Sequence, residues 1–136
     1  MKRALFLLLI ACGGKPAPPE PPETRGSATA PPPAVEVKPV ELTVVEGTPS
    51  QLPDGTVVNV RGVMYAHLAG SQNESSCSVT VTRGSEQAEF GLSRETGGPE
   101  PKAPPHDALG WRFTLTMADP YHQPSTAVIV AEKLAP

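Results

Sequence analysis

Aromatic residues are scarce in this chain, with one Trp, two Tyr and three Phe among 136 residues. A core with so few large rings must rest on Val, Leu and Ile, and ordinary rather than high stability is expected of it. Basic clusters are missing too. Eleven Lys and Arg stand against 14 Asp and Glu, a formal charge of −3. No run of cations offers the phosphate-neutralising surface that a nucleic acid needs, so none is expected as a partner. The same deficit argues against an electrostatic membrane patch. The longest apolar run, Ala4–Ala11, has eight residues, against roughly 20 for a membrane-spanning helix. Apolar positions at helical spacing are also lacking. No HxH, HExxH, CxxC or GxSxG pattern and no phosphate-cradling glycine loop occurs, so no cofactor and no metal is expected.

What is present is most specific at the start. Met1-Lys2-Arg3, an apolar run and the small residue Ala11 before Cys12 follow the layout of an export signal. Leu9-Ile10-Ala11-Cys12 resembles the lipobox of bacterial lipoproteins. That resemblance implies cleavage between Ala11 and Cys12, and a Cys12 that carries a thioether-linked diacylglycerol and an N-acyl chain. Gly13 rather than Asp after the cysteine implies sorting to the outer membrane in a Gram-negative host. Without residues 1–11, nine basic residues face 14 acidic ones, a formal charge of −5. Cys12 and Cys77 are the two cysteines. With Cys12 acylated, Cys77 has no partner within the chain; a Cys12–Cys77 bridge is the alternative if Cys12 is not modified.

The segment 12–39 is dominated by Pro, Ala, Gly, Glu and Thr. It has too little to bury to offset the entropy of folding, so a disordered tether with polyproline II character is expected. At about 3.1 Å per residue it reaches on the order of 80 Å. A spacer is the plainer reading, and a ligand for an aromatic groove the sharper one.

From Val40 the pattern changes to period-two alternation. Strands are expected over 41–46, 56–68, 77–82, 87–92, 109–117 and 126–134, with polar loops over 69–76 and 93–107. Gly62 inside the second of these marks a bulge or bend. The domain 40–136 is therefore expected to be all-β, a small antiparallel β-sandwich or barrel of about six strands. The expected core is Leu42, Val44, Val58, Val60, Met64, Val79, Val81, Phe90, Leu92, Trp111, Phe113, Leu115, Val128 and Val130. Gly55-Thr-Val-Val-Asn-Val-Arg-Gly62 and Ala127–Leu134 resemble the first and last strands of the oligonucleotide/oligosaccharide-binding barrel, which gives an alternative topology.

Few residues carry chemistry. His67, His106 and His122 are the candidate metal or catalytic set, on the condition that loops bring them together. Cys77 shares parity with Val79 and Val81 and is expected in the core, where a thiol acts as a small inert hydrophobe. Tyr121, His122 and Gln123 stand between Pro120 and Pro124, a stiffened loop suited to a binding edge. The plainer expectation is that Tyr121 folds back to cover Trp111. The function expected is that of a membrane-anchored, non-enzymatic binding or assembly module of the cell envelope, its partner an envelope protein or glycan. The rivals are an envelope metal-binding protein or enzyme, and a saccharide-binding barrel.

Overall fold

The computed structural model describes residues 38–136; the expected signal, Cys12 and the Pro-rich segment through Glu36 and Val37 lie outside them. Eight strands and no helix occur among the described residues: β1 Val40–Val45, β2 Ser50–Gln51, β3 Val57–His67, β4 Asn73–Arg83, β5 Glu86–Thr96, β6 His106–Ala108, β7 Trp111–Asp119 and β8 Thr126–Lys133. They form two antiparallel four-stranded sheets, ordered β1-β8-β7-β6 and β2-β3-β4-β5. The fold is a β-sandwich, and the two sheets do not close into a barrel, so the barrel alternative is set aside. The six long strands are those expected from alternation. The additions, β2 and β6, are of two and three residues.

Two bulges correct the expected core. The β3–β4 register shifts between Arg61 and Met64, where Gly62 has φ +61° and donates its N–H to Glu46 Oε1 at 2.6 Å. One extra residue reverses the alternation. Val63 is therefore buried, and Met64, expected inside, is 61% exposed. A second shift, between Leu115 and Met117 in β7, buries Ala118 and exposes Met117.

In β8 the expected parity was wrong. Val128 and Val130 are only half-buried, while Ala127, Ile129 and Ala131 are fully enclosed. The register explains this, because directly paired residues share a face. Leu115 pairs with Ile129 and Phe113 with Ala131, so the strand turns its small residues to the bulky ones of β7. Leu42, opposite Ile129, is partly buried against the core.

One end of the sandwich is closed by a polar tie around Trp111, which is 1% exposed. Its Nε1–H donates to Asp54 Oδ2 at 2.9 Å, and Lys133 Nζ donates to the same oxygen at 2.5 Å. Asp54 Oδ1 accepts the backbone N–H of Thr56 at 3.1 Å. Lys133 also sits 4.6 Å from the indole centroid, a cation–π position. Beside it, Arg83 reaches across to the Leu109 carbonyl at 2.8 Å. Desolvation works against ionisation of Asp54, but the bonds from Lys133, Thr56 and Trp111 outweigh it and hold its carboxyl well below the usual range. β1 begins at Val40 opposite Ala131, two residues from Lys133, so the domain's first strand starts on this Trp111 side.

Asp54→Ala leaves a buried indole N–H without its acceptor, and a loss of about 1–3 kcal/mol is expected. The sole Trp reports it directly: the denaturation midpoint followed by tryptophan fluorescence should fall with an unchanged slope. Because the folded-state pKa is depressed, this share of stability is present above the unfolded value of about 4 and is lost as the pH falls below it. Asp54→Asn should flatten that acid limb.

Candidate binding surface

The opposite end is built differently. In β3, β4 and β5 the last buried inner-face residues are Val63, Cys77 and Leu92. All three strands continue past that row with the same parity. Tyr65 pairs with Ser75, and Ser75 with Arg94; His67 pairs with Asn73, and Asn73 with Thr96. Paired residues share a face, so these six side chains extend the inner face of the sheet. Yet Tyr65, Ser75, Arg94, Asn73 and Thr96 are only half-buried and His67 is exposed. The sheet runs out from under its cover, and the residues change from Val, Cys and Leu to polar and aromatic types at that point. The result is a shelf.

Three loops border it. The β3–β4 loop is closed by Leu68 N–H bonding the Gln72 carbonyl at 2.8 Å. The segment after β5 folds back, with Glu95 and Lys102 exchanging backbone bonds at 2.7 and 3.0 Å. Gly97, φ +91°, is needed where these loops cross, because a Cβ there would run into the Ser71 carbonyl. Beside the crossing lies a pocket of about 250 Å³, lined by Gln72, Glu95, Thr96, Glu100 and Lys102 among others. The third border is the β7–β8 loop. There Asp119 accepts the Tyr121 N–H at 3.0 Å through Oδ1 and bonds His122 Nδ1 at 2.6 Å through Oδ2. The His122 bond, then the Tyr121 amide, lowers the Asp119 pKa.

Tyr121 does not cover Trp111. It is 74% exposed and packs edge-on against Tyr65, with centroids 6.0 Å apart at 61°. Trp111 begins β7 and Tyr121 follows its far end, so at about 3.3 Å per residue the strand alone separates them by roughly 26 Å. Tyr65 in turn meets His67 edge-on at 5.1 Å, and His67 Nδ1 lies 2.6 Å from Asn73 Oδ1. A continuous aromatic and amide row thus crosses from one sheet to the other.

The three histidines have separate partners. His67 belongs to the shelf and His122 to the bordering loop. His106 instead stacks on Phe90 at 4.1 Å, 12° from parallel, and helps cover the core. No group of three or more His, Cys, Asp or Glu side chains placed to hold a metal occurs among the described residues. Cys77 is a free buried thiol, and burial pushes its pKa up to about 11, so it lacks the thiolate a nucleophile requires.

Asn73, Ser75, Arg94 and Thr96 escape a reading of the sequence because polar composition suggests loops over 69–76 and 93–107, and Tyr65, within the expected strand 56–68, reaches the inner face only through the bulge at Gly62. The available signal was parity: Asn73 and Ser75 continue the alternation of Cys77, Val79 and Val81. Comparison with protein-family models, curated proteins and solved structures finds no match to this chain.

The border loop should respond to acid. Protonating Asp119 removes its anionic acceptor from Tyr121 N–H and His122, so the Tyr121 amide resonance should titrate with a midpoint below the usual Asp value of about 4. Asp119→Asn should abolish that titration and weaken Tyr65–Tyr121 ring contacts in nuclear Overhauser spectra, with the unfolding midpoint unchanged.

Proposed function

We propose that the chain is a membrane-anchored lipoprotein of the cell envelope whose β-sandwich is a non-enzymatic binding or assembly module. The lipobox-like Leu9-Ile10-Ala11-Cys12 supports the anchor. One acyl chain holds a protein only marginally, so two or more on Cys12 make attachment stable. Sorting is to the outer membrane if the host is Gram-negative. The observation that carries the binding role is the shelf at the Tyr65 end. The half-buried Tyr65 and exposed Tyr121 rings sit there in line with amide, hydroxyl and guanidinium residues, at the end of the sandwich away from the start of β1 at Val40. Tyr rings supply large, stiff contact area with a polar edge, which suits them to binding faces.

The rival reading, loop histidines as a metal or catalytic set, lacks a common centre for His67, His106 and His122. Cys77, the one thiol in the domain, is buried with a raised pKa. The partner expected is an envelope glycan or protein.

Mass spectrometry of the N-terminal peptide from membranes tests the anchor. The peptide should begin at Cys12 and carry the mass of its acyl groups; an intact Met1 or an unmodified Cys12 overturns the reading. Cys12→Ser should remain uncut and unacylated while Trp111 keeps its native fluorescence, since the tie to Asp54 and Lys133 does not involve the anchor.

A further inference from the structure

We infer that the shelf binds a saccharide bearing ring carboxylates, with Arg94 as the carboxylate receptor and Tyr65 and Tyr121 as the surfaces for the sugar rings. This rests on reading the domain as a binding module and names the ligand class of that surface.

The charge argument starts from Arg94. The domain from Val40 onward holds 11 Asp and Glu against six Lys and Arg, so an arginine has many carboxylates to choose from. Arg83 pairs with Glu86 at 3.3 Å and Arg112 with Asp107 at 2.8 Å. Arg94 is half-buried on the inner face of the sheet and makes no ion pair or side-chain hydrogen bond among the described residues. Its neighbour on the shelf is Ser75, followed by Tyr65. Glu74 and Glu95, which flank this row along the chain, have the opposite parity and lie on the other face of the sheet. A guanidinium on a strand row with Ser75 and Tyr65 and without a carboxylate partner among the described residues is matched by a ligand carboxylate, which it binds through two parallel bonds.

The class of ligand follows from the remaining groups. Each shelf row crosses three strands, or about 10 Å, and offers side chains rather than main-chain groups: Tyr65, Ser75 and Arg94 in one row, His67, Asn73 and Thr96 in the next. An extended peptide would instead seek the main-chain donors and acceptors of a strand edge. A face of hydroxyl and amide side chains suits the many hydroxyls of a short oligosaccharide. The exposed Tyr121 and half-buried Tyr65 supply the apolar faces on which sugar C–H groups pack. The net negative charge of the domain opposes non-specific uptake of polyanions, so affinity depends on Arg94, the cation within the shelf rows, while Lys102 in the bordering pocket stands beside Glu95 and Glu100.

The test is titration calorimetry of the full chain, extracted in detergent, with three probes: a tri-galacturonate, the neutral maltotriose and an acidic tri-glutamate peptide. The galacturonate should bind and shift the amide resonances of Tyr65, Ser75, Arg94 and Thr96, with maltotriose at least tenfold weaker. Arg94→Gln should lower galacturonate affinity by about tenfold or more, the loss of a charge-assisted bond, without moving the melting temperature. Tyr65→Ala and Tyr121→Ala should each weaken it, whereas Met64→Ala on the outer face should not. Equal binding of maltotriose overturns the role of Arg94. Equal binding of tri-glutamate overturns the saccharide assignment, and binding of neither saccharide overturns the inference as a whole. The anchored-module reading is judged separately, on the Cys12 peptide mass and on whether any shelf variant impairs envelope assembly.

Discussion

The bond from the Trp111 indole to Asp54 is the constraint on which this small sandwich depends. A chain with one Trp must enclose it, and enclosing it strands an N–H unless an acceptor is supplied. The acceptor comes from the turn before β3, in the sheet facing Trp111, and Lys133 of β8 completes the charge balance. Two sheets and the turn that begins the long β3–β4–β5 meander are thereby fixed to one another at one end. Each partner solves a problem of another: the carboxylate satisfies the indole, the ammonium keeps the carboxylate ionised, and the ring covers the lysine stem.

With that end fixed, the geometry of the other follows from strand length. β3, β4 and β5 have 11 residues each, while β1, β7 and β8 have six, nine and eight. The longer strands outrun their cover once the ends at Trp111 are aligned. Apolar side chains past Val63, Cys77 and Leu92 would meet water, and the sequence instead places Tyr, His, Asn, Ser, Arg and Thr there. The domain thus spends its few aromatics in two ways. Trp111, Phe113 and Phe90 fill the core, whereas Tyr65 and Tyr121 meet at a surface beyond it.

This division suits a display module. The tie and the shelf lie at opposite ends of the sandwich, and no shelf residue takes part in the bonds around Trp111. The proposed roles of Arg94 and the tyrosines fall on residues outside that tie.

Much of this was legible in the residues. Alternation alone located six strands, Gly62 announced its bulge, and the parity of Cys77 with Val79 and Val81 placed the thiol inside. These are local properties: the period of a strand and the torsional freedom of a glycine need no partner to be read. Other features were decided only when the sheets met. Met64 moved outward because a bulge reverses parity, and Ala127, Ile129 and Ala131 displaced Val128 and Val130 because β7 presents Phe113 and Leu115 to them. Tyr121 met Tyr65 rather than Trp111 because the length of β7 puts the β7–β8 loop at the other end of the sandwich from the indole. The shelf belongs to the same class. Asn73, Ser75, Arg94 and Thr96 are polar in the sequence and look like loop, and only the unequal reach of two packed sheets makes them, with Tyr65 and His67, an extension of the core face into solvent.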